Sequence, residues 1–148
     1  MTTGSRLLLL LLIVLAFTSC KSREVADRAA LDAALAARIQ AIPAADPAKY
    51  RALRESKAWR NPYLIVKPNG VALLDVDNSL ERYINPDDLV RELSQLPPSA
   101  WPYGRVVAVT ESGIVGSEED KARIRKNRAI VAGTLESLHV AINWIPSA

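Results

Sequence analysis

From Pro62 to the end of the chain there are five short, mostly apolar runs of strand length and two segments of helical periodicity. Their order is the sequence feature that most restricts the possible folds. The runs span residues 63–67, 71–76, 80–84, 105–110 and 140–145, and the helical segments span residues 85–96 and 117–138. Strands joined through helices become parallel neighbours through right-handed crossovers. The sequence therefore predicts an α/β fold of order β-β-(β)-α-β-α-β, with one small mixed β-sheet covered mainly on one face by two helices.

Turn and capping residues mark where these elements begin and end. Asn69-Gly70 stands between two apolar runs, which is a strong signal for a β-hairpin. Asn85 followed by Pro86 predicts a helix start, because asparagine caps a helix and proline suits its first position. Ser117 with an acidic residue three positions later resembles a capping box and predicts the start of the last helix.

The chain before Pro62 is rich in alanine and charged residues and poor in large apolar side chains. Residues 22–42 have helical periodicity with a narrow apolar stripe, and Asp46-Pro47 predicts a second, basic helix that reaches about Trp59. Because alanine-rich faces bury little area, we expect a helical spacer over residues 20–61 and a folded domain over residues 62–148. A chain from Asn61 to Ala148 should then fold alone.

The N-terminus has the form of a secretory signal peptide. Arg6 precedes an apolar run from Leu7 to Phe17, whose 11 residues are fewer than the 20 or so that span a membrane. Thr18-Ser19 and then Cys20, the only cysteine, follow the run. This arrangement resembles the lipobox of bacterial lipoproteins, although Phe17 stands where leucine is usual. The resemblance implies cleavage of residues 1–19 and a diacylglycerol anchor on the thiol, with an acyl chain such as palmitate on the new amino terminus.

The lipobox resemblance also implies a location. A lipoprotein anchored through Cys20 lies on the extracytoplasmic, periplasmic side of the bacterial cell envelope. Lys21 stands where an aspartate retains enteric lipoproteins at the inner membrane, so the outer membrane is favoured in a cell that has two membranes. The alternative is an uncleaved signal anchor in which the cysteine is incidental.

Charge and composition exclude several classes of function. The leader holds one basic residue and no acidic one, so the remaining 129 residues have a net charge of +2. This balance argues against nucleic-acid binding, which needs a clustered basic face. With Cys20 lipidated and His139 the only histidine, a Cys/His zinc site is excluded. The chain has no phosphate loop and no Gly-x-Ser-x-Gly motif, so no cofactor or metal is expected.

An acidic pair follows the second predicted strand. Asp75 and Asp77 resemble the first motif of haloacid-dehalogenase-type phosphatases, Asp-x-Asp-Gly-Thr. The resemblance implies a nucleophilic Asp75, an acid/base at Asp77, a magnesium ion between them and a phosphate ligand at Thr110. Asn78 replaces the glycine, and the last strand lacks the acidic pair that holds magnesium in that family. The simpler interpretation is a solvent-facing Asp75 and a turn that begins at Asp77.

The order of elements carries a second resemblance. It rests on the strand–turn–strand around Pro68-Asn69-Gly70, the helix that begins at Asp88-Leu89, the strand Val106–Val109, a long helix and a final strand. These features resemble the periplasmic domain of the ExbD/TolR family, accessory proteins of proton-driven energy transduction. That family has a transmembrane helix with a proton-carrying acidic residue, whereas no acid lies before Cys20 here. The resemblance therefore implies the soluble fold and a binding role, not proton coupling.

Together these observations predict a lipid-anchored, non-enzymatic domain that binds an envelope protein or peptidoglycan. Leu80–Ile84 or Trp144-Ile145, as an exposed edge of the sheet, would accept a strand from the partner. The alternative function is a magnesium-dependent phosphatase-like hydrolase that uses Asp75 and Asp77. His139 is expected at a helix end rather than in catalysis.

Overall fold

The chain divides into two units by its internal contacts. The structure, a computed structural model, describes residues 25–53, 58–75, 80–113 and 116–146. The units are Met1–Ala34 and Leu35–Ala148, and the second is called the compact unit below. Residues 25–40 are helical and are called α1. In the first unit, residues 25–34 are exposed to solvent.

The compact unit is built on a five-stranded mixed sheet with the strand order β3-β2-β1-β4-β5. The strands are β1 (Tyr63–Lys67), β2 (Gly70–Asp75), β3 (Leu80–Ile84), β4 (Val106–Glu111) and β5 (Ala141–Trp144). β1 pairs antiparallel with β2 and parallel with β4, while β2–β3 is antiparallel and β4–β5 is parallel. This confirms the predicted α/β fold and order of elements, with β3 as an edge strand.

The β1–β2 hairpin has the tight turn that the sequence predicts, with its centre one residue earlier. Lys67 pairs with Gly70, so Pro68 and Asn69 are the central residues. The fixed φ of proline suits the first central position of the common turn types. Gly70 follows with a φ of 142°, a conformation that side chains disfavour. A Cβ there would also lie 3.2 Å from the backbone oxygen of Ile84 on β3.

Both main helices begin at the caps that the sequence predicts. The Asn85 side chain accepts a hydrogen bond from the backbone N–H of Asp87 and opens the 3-10 turn Pro86–Asp88, which leads into α3 (Leu89–Ser94). The Ser117 hydroxyl accepts from the backbone N–H of Asp120 at 3.1 Å and opens α4 (Glu118–Ser137). In each case the cap satisfies one of the first N–H groups, which have no partner within the helix.

One face of the sheet, called the helical face below, is covered by α3, α4 and the end of α1. Strand residues that are buried on this face include Leu64, Val66, Val71, Leu73, Val107 and Val109, and the helices contribute Leu89, Leu93, Ile124, Val131 and Leu135. Ile39 of α1 is fully buried in the same cluster. The amphipathic spacing of α3 and α4 accounts for most of this core.

The opposite face is covered mainly by residues 43–53 and 58–62, which are called the strap below. The strap has one short helix, α2 (Pro47–Tyr50), and is otherwise irregular. Trp59 is 1% exposed, and its ring packs edge-on against Tyr50 and Tyr103 with centroid distances of 5.7 and 5.3 Å. The indole N–H donates to the Pro62 carbonyl oxygen at 3.1 Å. On this face, the sheet is thus covered mainly by a single aromatic cluster, whereas helices cover the other face.

Backbone hydrogen bonds join the start of the strap to the entry of β4. Ala44 and Arg105 form an isolated parallel bridge. The Arg105 N–H donates to the Pro43 oxygen at 2.8 Å, and the Asp46 N–H donates to the Tyr103 oxygen at 2.9 Å. The strap therefore runs beside β4 as a short irregular extension of the sheet.

Asn61 binds the same loop from the other end of the strap. Its side chain is 3% exposed, and its amide nitrogen donates to the oxygens of Gly104 and Val106 at 2.7 and 2.8 Å. Its amide oxygen accepts from the Tyr103 N–H at 2.9 Å. Gly104 has a φ of 77°, and a Cβ there would lie 2.2 Å from the Ala44 oxygen. Only glycine permits so close an approach of the two backbones.

The compact unit begins at Leu35, which differs from the sequence-based division into a spacer (20–61) and a domain (62–148). Ile39 and Trp59, which precede the predicted boundary, are buried in the core, and the division itself stays a prediction. The second predicted helix is also shorter than expected, because α2 ends at Tyr50. A helix continued to Trp59 would separate the two aromatic residues by about 13 Å along its axis, whereas their rings are in contact.

Candidate functional site

The free edge of β3 carries apolar side chains exposed to solvent. β3 pairs with β2 on one side only. In the part of the compact unit that the structure describes, the exposed large apolar residues are Leu80, Tyr83 and Trp144, and all three lie on edge strands. Leu80 is 65% exposed and Tyr83 is 54% exposed. An exposed apolar edge is a template for pairing with another polypeptide.

A cluster around Lys67 holds Tyr83 in place at this edge. The ammonium group of Lys67 forms an ion pair with Glu81 and donates to the Tyr83 hydroxyl at 3.1 Å. It also lies 5.1 Å from the centroid of the Tyr83 ring, within the range of a cation–π interaction. The hydrogen bond with Glu81 raises the pKa of Lys67. These contacts within the chain fix the position of the exposed ring.

On the helical face, an ion pair fastens the middle of β3 to α3. Arg82 of β3 pairs with the carboxylate of Glu92, whose side chain is 12% exposed. The hydrogen bond from Arg82 lowers the pKa of Glu92, and Arg91 lowers it further. β3 is therefore supported from both of its faces, while no strand of the described residues pairs with its outer edge.

A cleft of about 670 Å³ opens beside the start of β3. It is lined by Trp59, Arg60, Asn61, Pro62, Leu73, Leu74, Asp75, Leu80, Glu81, Arg82, Leu96 and Ala100. Its volume is typical of pockets that take a small ligand or a few side chains. Glu81 and Arg82 are engaged in the ion pairs described above, and Arg60 and Asp75 also have partners. The cleft therefore presents apolar surface, and its charged side chains already have partners within the chain.

Asp75 and Thr110, two of the three residues of the phosphatase interpretation, lie apart in the structure. Asp75 ends β2 and lines the cleft, whereas Thr110 lies near the end of β4. β2 and β4 run in opposite directions, so the carboxyl end of β2 lies beside the amino end of β4 and away from its carboxyl end. Ile65 pairs with both Ala72 and Thr110, which therefore share a face, and Asp75, three residues after Ala72, faces the other way. Asp77 lies outside the described residues.

Thr110 has a structural partner instead. Its side chain is 8% exposed, and its hydroxyl donates to the Glu111 oxygen at 3.5 Å. Burial raises the pKa of the Tyr63 hydroxyl, which lies on the same face of the sheet and is 5% exposed.

His139 lies at the end of α4 and is exposed. Its φ of 55° places it in the left-handed region that ends many helices. The His139 N–H donates to the Glu136 oxygen, and the Val140 N–H donates to the Leu135 oxygen, both at 2.9 Å. These two bonds form a Schellman motif, so the histidine has a backbone role at this position.

Within residues 25–53, 58–75, 80–113 and 116–146, no three His, Cys, Asp or Glu side chains are grouped so that they would hold a metal ion. In the same ranges, no helix combines the length and the apolar character needed to cross a membrane. Cys20, the predicted lipidation site, lies outside the described residues.

Trp59 and Leu96 are part of the cleft, which the sequence did not predict. Their positions are separated by 37 residues, and the lining as a whole comes from three separate stretches of chain. The one available signal was a tryptophan within a basic, otherwise polar stretch, which is unusual for a solvated helix face.

Comparison of the chain with protein-family models, with curated proteins and with solved structures gives no match.

Proposed function

We propose that this chain is an extracytoplasmic lipoprotein of the bacterial cell envelope, anchored through Cys20, whose α/β domain binds a partner without catalysing a reaction. The lipobox-like leader supports the anchor. The open edge of β3, with Leu80 and Tyr83 exposed, supports the binding role and is the observation that carries it.

The chemistry of an open strand favours an envelope protein over peptidoglycan as the partner. A strand edge offers alternating N–H and C=O groups, which an extended polypeptide satisfies along its whole length. Such complexes gain affinity from the backbone and specificity from pockets that receive alternate side chains. The cleft beside Leu80 supplies an apolar pocket of this kind.

Photo-crosslinking in the cells that make the protein tests this function. A photoreactive amino acid replaces Tyr83 on β3, Trp144 on β5 or, as a control, the exposed Glu136 on α4. We expect an adduct with a protein at position 83 and none at position 136, with mass spectrometry identifying the crosslinked peptide. Adducts only at position 144, or equally at all three positions, would contradict a docking site on β3.

The anchor is tested separately. Metabolic labelling with a fatty-acid analogue should mark the wild-type chain, and Cys20→Ser should remove the label and either release the domain or leave an uncleaved precursor. An unlabelled wild-type chain would exclude the lipoprotein. Fractionation into the inner membrane would reverse the preference for the outer one. The hydrolase alternative gains no support from the placement of Asp75 and Thr110.

A further inference from the structure

A dense group of positive charges follows the acidic first turn of α4, which holds Glu118, Glu119 and Asp120. Between residues 121 and 128 there are five basic side chains and no acidic one: Lys121, Arg123, Arg125, Lys126 and Arg128. All five are exposed. The chain is nearly balanced in charge overall, so this concentration is local and does not follow from composition.

Three of these bases form ion pairs that are themselves exposed. The pairs are Lys121 with Glu118, Arg123 with Glu119, and Arg128 with Glu111, each at 2.6 Å. Exposed pairs of this kind are weak and exchange partners readily. Within the part of the chain that the structure describes, Arg125 and Lys126 make no ion pair and no side-chain hydrogen bond. The positive charges of Arg125 and Lys126 are therefore available to bind an external anion.

Small residues separate these charges along the crest of the helix. Ala122, Ala129 and Gly133 are separated by seven and by four residues, which places them on one helix face, and all three are exposed. A Cβ on Gly133 would have no neighbour within 4 Å. Lys126 lies on the same face, four residues after Ala122 and three before Ala129, so small side chains flank the base of this exposed cation. We call residues 121–133 the basic crest.

We propose that the basic crest binds the anionic phospholipid headgroups of the membrane that holds Cys20, an inference that rests on the proposed lipid anchor. Only residues 21–34 separate Cys20 from the compact unit. Residues 25–34 are helical and rise about 1.5 Å each, and residues 21–24 span at most about 3.6 Å each, so this tether is at most about 30 Å long. Confinement at that distance keeps the crest at a high effective concentration near the headgroups. The crest would then orient the domain on the membrane.

Vesicle binding tests the proposal with the mature chain, residues 20–148, carrying Cys20→Ser so that no lipid contributes. Vesicles of phosphatidylcholine alone are compared with vesicles containing phosphatidylglycerol. Each basic side chain near an anionic surface strengthens partitioning roughly fivefold, which corresponds to about 1 kcal/mol. The double variant Arg125→Gln/Lys126→Gln should therefore bind the anionic vesicles roughly 25-fold more weakly. Binding of the unsubstituted chain should fall with added salt.

The matched control is Arg38→Gln/Arg51→Gln, which removes two exposed charges elsewhere in the compact unit. Equal weakening by both double variants would overturn the proposal, because binding would then follow net charge alone. So would equal binding to both kinds of vesicle, saturable binding of free glycerol phosphate, or tighter binding of an RNA oligonucleotide. If Cys20 is unlabelled in cells but vesicle binding depends on the crest, the proposed lipid anchor is wrong and the headgroup-binding surface stands.

Discussion

The two faces of the sheet are covered in different ways. The helical face is covered by amphipathic helices whose apolar side chains recur at regular spacing. The other face is covered by the strap, which has one short helix and is held by Trp59, Asn61 and a few backbone hydrogen bonds. A regular cover distributes its stabilisation over many interchangeable contacts, whereas an irregular cover concentrates it in a few specific ones. Substitutions should therefore be tolerated less well on the strap face.

The largest effect should come from removing the strap. A chain shortened to begin at Leu35 should keep one cooperative thermal transition, and a chain that begins at Pro62 should lose it. The shorter chain lacks Ile39 and Trp59, whose truncation alone costs roughly 2–5 kcal/mol each, against a typical total stability of about 5–15 kcal/mol. Circular dichroism during heating measures both. A cooperative transition in the chain from Pro62 would restore the boundary predicted from the sequence.

A single methyl group at the closest backbone contact should have the next largest effect. Gly104→Ala should lower the free energy of unfolding by about 3 kcal/mol, because the new Cβ meets the Ala44 oxygen and φ is unfavourable. The matched control is Gly133→Ala on the exposed crest of α4, which should raise stability by roughly 0.5–1 kcal/mol. Urea unfolding compares the two. Similar effects of both substitutions would mean that the strap separates from the loop at little cost.

Loss of the buried amide should destabilise somewhat less. Asn61→Ala leaves the Val106 oxygen and the Tyr103 N–H without the Asn61 amide and removes one of two donors to the Gly104 oxygen, which costs about 2 kcal/mol. Asn61→Asp should be at least as harmful, because it places a carboxylate against those carbonyl oxygens. Chemical denaturation of the three chains checks the order. Stability unchanged in Asn61→Asp would show that water replaces the amide and that this end of the strap is loosely held.

The smallest effect should be on the helical face. The Arg82–Glu92 ion pair lowers the pKa of Glu92 below its usual 4.5, so its stabilisation is present above that value and is lost as pH falls through the lower folded-state pKa. Glu92→Gln should remove this part of the acid dependence and cost about 1 kcal/mol or less at pH 7. Unfolding midpoints between pH 3 and 7 measure it. An unchanged acid dependence would show that other carboxyl groups account for it.

The same contrast explains how much of this protein could be predicted from its sequence. The strands, the caps at Asn85 and Ser117 and the edge position of Leu80–Ile84 follow from signals a few residues long. The strap has no such signal, because Asn61 acts on backbone groups more than 40 residues away. The cleft was missed for the same reason, since its walls come from separate stretches of chain. The β3 edge was predicted, and the pocket beside it was not.

The parallel bridge between Ala44 and Arg105 has a mechanical consequence. Tension applied to the chain on its N-terminal side reaches the compact unit through Ile39 and then through the bonds of Pro43 and Asp46 to the entry of β4. These few bonds bear the load before any strand of the sheet does. The strap would therefore yield first and leave the five strands paired. Under the proposed anchoring at Cys20, the strap would separate before the sheet when the chain is pulled and would leave the edge strand β3 intact.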